Sequence, residues 1–541
     1  MSARTDRRRV APVLVAGVPA LVYVLVSPPS FDLAAHMFRA QLFRIEGFGI
    51  WNNFWYDGHD TLGYSVLFPA VSAALTPQLA AAIATTGTAA LFESLARRHC
   101  GADAWLGALV FGAATATNLY TGRLAFAFGT LPALAAVVAL DRRRPWSAAS
   151  LALASALASP VAALIPALAG VAFAVAALAD GTPAARIRGA LPGIAVCGAA
   201  LVPVALLAVA FPEGGREPFA FSAFWPVPLI ALACLWASPR PARVLRAALV
   251  LYALGTVGAY LVPSPAGSNV ARLGTFVAAP LAALLLWPHR QALLLAAALP
   301  LLYVEWHDPV RDLTTAAGDP TSAKGYYAPL LRFLARQGDP PFRIEIPFTA
   351  FHWEAYAVAT RFPLARGWER QLDIKYNSLF YAGRLTAARY DGWLHRNAVR
   401  FVAIADAPLD YSARAEAALI DRGLPYLRLV TRIAHWRVYA VADPTPIVQG
   451  AATLTALGAD SLTLRASRPG TALVRVHFSS YWALGEGSGC VAPAGDFTSL
   501  TLRGAGPVRL VIRFSLGRIG ARSPRCAGSG RRRPQTPVAL K

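Results

Sequence analysis

The residues of this chain that could do chemistry crowd into one stretch, Phe31–Pro69. It holds Asp32, His36, Arg39, Arg44, Glu46, Asp57, His59 and Asp60 beside Trp51, Trp55, Tyr56 and Tyr64. Of the 29 Asp and Glu residues only 11 precede Glu305, and four of those 11 lie in residues 28–65. If residues 31–45 are helical, Asp32, His36, Arg39 and Phe43 share one face at i, i+4, i+7 and i+11. An acid, an imidazole and a guanidinium in line suit group transfer from a phosphate ester. The carboxylate can take the proton from an acceptor hydroxyl as it attacks a sugar carbon. The guanidinium can hold the departing phosphate with paired donors, and rings such as Trp51, Trp55 and Tyr56 suit the apolar face of a sugar. Each residue also has a plainer use. Asp32 could cap a helix, Arg39 and Arg44 could reach for lipid headgroups, and the tryptophans could form an interfacial belt. Asp32 and His36 would supply two metal ligands. No third is evident, so a divalent metal is compatible with the sequence without being required by it.

The elements that must position this stretch are membrane helices. The chain is 56% hydrophobic and 15% charged, with a mean hydropathy of +0.45, whereas soluble domains average about 25% charged residues. The net charge of +22 does not point to nucleic acid. Only three of the 51 basic residues are lysines, and many of the arginines sit in short turns between apolar runs, where the positive-inside rule places them. The N-terminal MSARTDRRRV and the apolar run after it read as a retained signal anchor. With about 20 residues per span, helices are expected near 11–27, 78–96, 104–120 and 124–140, then a proline-broken hairpin within 147–179. Further spans follow at 189–211, 224–238, 247–262, 273–287 and 291–304. The expectation is a polytopic α-helical protein of the plasma membrane with about 11 spans over residues 1–304. Its N-terminus is cytoplasmic, and the opening loop (28–65) and everything after the last span are external.

From Glu305 charge becomes frequent and apolar runs shorten. VRFVAIAD (399–406) and WRVYAVAD (436–443) read as buried strands, and SARAEAALIDRG between them as a helix ending at Gly423. An extracytoplasmic α/β domain is expected over 305–445. The runs SLTLRAS, TALVRVHFSS, FTSLTLRGAG and PVRLVIRFSL alternate and are separated by turn residues, which predicts a β-sandwich over 446–526. Residues 527–541 read as a disordered tail. Cys490 and Cys526 share the external part and could form a disulfide. Cys100, Cys197 and Cys234 read as small buried hydrophobes.

The stretch resembles a known superfamily. An acid at the start of the first external loop, a long loop with amphipathic helices, and GYSVLFPAV (63–71), a relaxed Tyr-Pro segment, are similar to the GT-C membrane glycosyltransferases. That resemblance implies a GT-C-like membrane domain, with Asp32 in the place of the catalytic acid. It implies a polyprenyl-phosphate sugar as donor and a cell-envelope glycan, lipid or protein as acceptor. The chain departs from the superfamily in lacking an adjacent acidic pair. DxxxHxFR, TGRLAFAFG (121–129) and ARGWERQLDIKYN (365–377) also resemble bacterial, notably actinobacterial, membrane proteins called 6-pyruvoyl-tetrahydropterin synthase-related. AVRFVAIAD and HFSSYWALGEG (477–487) are similar to the external part of YfhO-like membrane proteins. The synthase activity is not implied, because its three-His zinc site has no counterpart here.

The reading that follows is a membrane glycosyltransferase with Asp32 as base and His36 beside it. Arg39, Arg123 and Arg272 would bind phosphate, and Arg44, Asp57, His59, Tyr64 and Asn269 would line the site. Trp368, Glu369 and Asp373 would reach over the loop from the soluble part to bind acceptor. Two other readings stay open: a transporter or flippase of a lipid-linked glycan, and a non-catalytic envelope assembly protein. The flippase reading expects charged or broken helices at mid-membrane and a two-fold repeat.

Overall fold

The computed structural model describes residues 2–179, 182–323, 325–338 and 340–527, with side chains from Arg8 onward. The expected tail lies outside the described residues from 528 on.

The first two-thirds of the chain is helical. Helix α1 (Ser2–Val26) leads into α2 (Leu33–Glu46), a short hairpin of β1 (Trp51–Asn52) and β2 (His59–Asp60), and α3 (Phe68–Leu75). Next come α4 (Pro77–Cys100), α5 (Ala104–Tyr120), α6 (Leu124–Asp141), α7 (Pro145–Ala158), α8 (Leu164–Leu178) and α9 (Pro183–Ala210). The series ends with α10 (Phe221–Phe224), α11 (Pro226–Ala237), α12 (Arg243–Leu261), α13 (Ala271–Leu286) and α14 (Gln291–Ala316). Local chemistry sets the boundaries. Thr76 caps α4 by accepting the Leu79 amide, with Pro77 in its first turn. Gly47, at φ 72°, closes α2 by donating its amide to the Phe43 carbonyl.

Among the described residues, six helical stretches are long and apolar enough to cross a membrane: 8–26, 77–120, 124–141, 183–210, 243–261 and 267–286. That corrects the expectation of about 11 spans. Helices α7 and α8 and the 221–237 segment are apolar but shorter than a span, because Pro160 ends α7 and no helix bridges the break. Helix α14 runs unbroken through the expected boundary at 304/305. Its second half carries Glu305, Asp308, Arg311 and Asp312, of which Glu305 and Asp312 are buried and Asp308 pairs with Arg123.

The C-terminal third is β-rich. A four-stranded sheet in the order β3-β4-β6-β5 comprises β3 (Arg343–Glu345), β4 (Val399–Ala405), β5 (Leu427–Ile433) and β6 (Trp436–Val441). Only the β3–β4 pair is parallel. The sheet is covered by α15 (Ala328–Ala335), α16 (Glu354–Ala357), α17 (Arg370–Tyr376), α18 (Ala387–Arg396) and α19 (Arg414–Asp421). The two strands and the helix expected here are β4, β6 and α19.

Beyond it stand β7 (Val448–Gly450), β8 (Ala452–Leu457), β9 (Ser461–Ala466), β10 (Gly470–His477) and β11 (Trp482–Glu486). They are followed by β12 (Gly489–Ala494), β13 (Phe497–Leu502), β14 (Gly506–Ile512) and β15 (Arg525–Ala527). A five-stranded sheet, β15-β12-β13-β10-β7, and a four-stranded sheet, β11-β14-β9-β8, share one core that includes Leu462, Val474, Leu500 and Leu510. Period-2 alternation makes one face of each sheet apolar, and the two faces close on each other. Cys490 and Cys526 lie opposite one another on β12 and β15 and are disulfide-bonded.

The opening stretch is not the exposed loop its charges suggest. Every residue from Trp51 to His59 is buried. Trp55 and Tyr56 sit in the same core as Ile344, Phe348 and Trp436, and Phe38 and Leu42 of α2 join them. Trp51 instead enters the sandwich core and meets Trp482 edge-on. These rings bind this strap to both C-terminal units.

Candidate functional site

Residues 33–46 form the helix that the spacing predicts, with Asp32 at its N-terminal edge. Asp32 does not cap it: its side chain accepts no hydrogen bond from the first turn. No hydrogen bond or ion pair engages its carboxylate among the described residues, and it is half-buried. Its charge nevertheless acts on Arg39, Tyr64, Glu217 and Arg272, which come from four different segments. Arg272, in the first turn of α13, is likewise half-buried and donates no side-chain hydrogen bond among the described residues. A carboxylate and a guanidinium within each other's field, each without a protein partner, form the chemical centre of this face.

His36 lies one turn along α2 from Asp32 and is fully buried. Its Nε2 sits 3.1 Å from the Gly122 carbonyl, and its Nδ1 has no hydrogen-bond partner. Nε2–H therefore donates and Nδ1 keeps its lone pair. The close approach needs Gly122. At φ 75° it takes the left-handed turn before α6, and a Cβ there would strike the Ser30 hydroxyl. Burial, then Arg39, push the imidazole down to about 3. The ring is neutral wherever the folded protein is stable, which suits an acceptor or an orienting group and not a proton donor.

That shift carries a stability signature. Between about pH 3 and pH 6.5 the unfolded chain binds a proton that folded His36 refuses, so stability falls as pH drops through that window and is fully present above it. His36→Gln keeps an N–H for the Gly122 carbonyl and should flatten the slope. Thermal unfolding of the detergent-solubilised protein from pH 4 to pH 7 checks this, and an unchanged slope would refute it.

Arg39, one turn further along, is buried and ion-paired with Glu369 of the α/β unit. Its guanidinium lies 3.9 Å from the Tyr64 ring centroid, and its Nη1 has no hydrogen-bond partner. The Glu369 amide donates to the Tyr56 hydroxyl at 2.8 Å, and that hydroxyl donates to the Gly367 carbonyl. Gly367 is required by Trp55, whose ring occupies the space a Cβ would fill. The segment 366–369 thus lies over the strap, as the sequence suggested. Only Glu369 of its three candidates reaches the site. Trp368 stacks on His352 at 3.4 Å inside the α/β core, and Asp373 pairs with Arg366 at 2.6 Å. Burial, with Asp32 next, pushes the Tyr64 hydroxyl up to about 12 and keeps it protonated.

The remaining candidates separate. Arg123 stands at the start of α6, within reach of Arg272's field, and pairs with Asp308 of α14 at 3.0 Å. Asn269 lies in the turn just before Arg272, half-buried. Arg44 is turned away and donates to the Ala73 and Ser72 carbonyls at the end of α3. Asp57 is buried against Arg343 at 2.9 Å. His59 is held between Glu213 at 2.8 Å and Asn52 at 3.1 Å. Asp57 ties the strap to β3 of the α/β unit, and His59 ties it to the loop after α9. Glu217, in the loop between α9 and α10, was not singled out from the sequence. It accepts from Ser268 at 3.1 Å and feels both Arg272 and Asp32. Its one signal was its place in PEGGREPFAF, an acid in a short turn between apolar helices.

No group of three or more His, Cys, Asp or Glu residues is placed to hold a metal ion among the described residues. An apolar cavity of about 250 Å³ runs through the helical bundle and is walled by Leu273, Gly274 and Thr275, the residues directly after Arg272. No protein-family model matches the chain, and no curated protein matches its sequence.

Proposed function

We propose that this chain is an integral membrane glycosyltransferase of GT-C type. It moves a sugar from a polyprenyl-phosphate donor to a cell-envelope acceptor on the extracytoplasmic face of the plasma membrane. The observation that carries the reading is that Asp32 and Arg272, a carboxylate and a guanidinium that no hydrogen bond or ion pair engages among the described residues, lie within each other's electrostatic field. Transfer from a lipid phosphate asks for those two charges. A carboxylate takes the acceptor hydroxyl's proton as the hydroxyl attacks the anomeric carbon, and a fixed cation neutralises the phosphate that leaves. The apolar cavity starting one residue from Arg272 suits the lipid chain, so headgroup and tail fall on adjoining surfaces. Tyr64 and neutral His36 shape the space around Asp32, and Arg39, held by Glu369, adds positive potential. Arg-rich turns at the opposite end of the helices support an external location for the site.

The test is transfer of radiolabelled sugar from synthetic polyprenyl-phosphate donors to envelope fractions by the purified protein. Arg272→Gln should weaken the donor's hold by roughly ten- to a hundredfold, the worth of a charge-assisted hydrogen bond, read as a raised KM for donor. An unchanged donor KM would remove Arg272 from the site, and donor crossing a vesicle bilayer with no glycosidic bond formed would replace transfer by transport.

A further inference from the structure

A second cavity, of about 560 Å³, opens where the β1–β2 hairpin, the end of α17 and the sandwich meet. Its buried wall is formed by Trp51, Tyr56, His59, Asn377 and Tyr481, and its exposed rim by Lys375, Arg396, Asp496 and Arg522. The rim cations are already engaged. Lys375 donates to the Glu213 carbonyl, Arg396 pairs with Asp496, and Arg522 donates to the Gly495 carbonyl at 3.3 Å. Two acceptors in the wall are not. No hydrogen bond engages the Asp60 carboxylate among the described residues; its Oδ1 is sealed from solvent, so Oδ2 is the oxygen left to a ligand. His477 donates from Nδ1 to the Gly58 carbonyl at 3.0 Å, which leaves its Nε2 as an acceptor with no protein partner. Its ring stacks on Tyr376 at 4.4 Å and on Phe497 at 5.8 Å, and half-exposed Tyr376 in turn lies 6.0 Å from Tyr56 with the Lys375 ammonium 4.8 Å from its ring centroid.

This pattern selects a ligand class. The rim cations keep further N–H donors, but the groups left without partners in the wall are acceptors, which ask for a ligand that donates. Unpartnered acceptors beside a fixed aromatic face call for a ligand with hydroxyl donors on one edge and C–H groups on the other. We propose that this cavity binds a neutral saccharide, with Asp60 and His477 taking its hydroxyls and the aromatic rings of the wall meeting its C–H groups. Its volume accommodates a mono- to disaccharide unit. Burial, with Glu213 beside it, pushes the Asp60 carboxyl up. A hydroxyl both donates and accepts, so it serves that carboxyl protonated or ionised.

The cavity and the Asp32 site share the strap. His59 stacks parallel to Trp55, Tyr56 bonds the Glu369 amide, and Glu369 holds Arg39. On the transferase reading, which this step alone rests on, the saccharide is part of the acceptor, held by the external units while its growing end reaches Asp32.

The experiment uses the full-length protein in detergent. The probes are neutral di- to tetrasaccharides of glucose, galactose, mannose and arabinose, with glucose 6-phosphate as an anionic control, followed by saturation-transfer NMR. A neutral series should bind. Asp60→Asn should weaken it tenfold or more, and Ser480→Trp, which fills the cavity from a half-exposed position, should abolish it. Asp32→Asn should leave it unchanged. Binding of no neutral probe, binding of the phosphorylated sugar alone, or binding untouched by both cavity variants would overturn the proposal. Saccharide binding that survives in a protein shown to make no glycosidic bond would sink the transferase reading and leave the cavity's assignment standing.

Discussion

An Asp32→Asn variant is expected to insert, fold and melt as the parent does, and to lose sugar transfer by about 10²–10⁴-fold, the usual worth of a general base. The structural half of that expectation rests on what Asp32 does not do. It caps no turn, pairs with no cation and accepts no hydrogen bond among the described residues, so an isosteric amide removes no contact. The chemical half rests on what surrounds it. Arg39, Arg272 and Tyr64 all lie within the reach of its field, two of them cations that could hold a phosphate. Donor binding should hardly change, so kcat falls while KM for the donor stays within a few fold. Arg44→Ala is the matched control, because Arg44 sits on α2 but bonds the end of α3, and its transfer rate should equal the parent's. Full activity in Asp32→Asn would end the assignment. A collapse of its melting temperature would show that the carboxylate is structural after all.

How much of this was legible in the sequence differs by residue, for physical reasons. Local periodicity fixes which side chains share a helix face, so the line of Asp32, His36 and Arg39 could be read from spacing alone. Composition likewise marked the membrane bundle and the β-rich end; Val, Phe and Tyr content located β4 and β6, and strand alternation located β9, β10, β13 and β14. Partners across the chain leave no such trace. Asp57, His59, Trp368 and Asp373 have the right chemistry for a site, but Arg343, Glu213, His352 and Arg366 consume them, at separations from 7 to 286 residues. The burial of Trp51 to His59 leaves no local trace, because the segments that cover them lie some 300 residues downstream. Spans were overcounted because hydropathy does not distinguish a full crossing from the shorter apolar helices α7 and α8, and α14 mixes apolar and charged turns in one rod. Short strands such as β3, β7 and β15 carry three residues each, too few for alternation to register.

The largest effect on stability should come from Arg366, which lies far from any reacting atom. Its guanidinium is fully buried between the Phe348 and Phe380 rings, each 4.0 Å away. It bonds Asp373 at 2.6 and 3.1 Å and Glu416 at 3.2 Å, with Glu345 3.9 Å away. Three carboxyls around one cation cannot all stay ionised, and burial pushes both Glu345 and Glu416 upward. Because those folded values lie above the unfolded ones, their contribution is present at low pH and is lost as pH rises past about 4.5. Arg366→Met keeps the apolar stem and strands the acids, and breaking a buried pair in this way costs about 3–5 kcal/mol. Whole domains are stable by about 5–15 kcal/mol, so the α/β unit should lose a large share of its stability and melt at a clearly lower temperature. Unfolding followed by tryptophan fluorescence reads this directly, since Trp368 and Trp436 lie in the same core. Adding Glu345→Gln removes one stranded charge and should restore part of the loss, a non-additivity that a merely spacer role for Arg366 would not produce. Unchanged stability in the single variant would show that the three acids are neutral without it. The consequence reaches the membrane. Arg366 fixes the backbone that presents Gly367 to Trp55 and Glu369 to Arg39, so an α/β unit loosened at Arg366 frees Arg39 and should slow transfer even where Asp32 is intact.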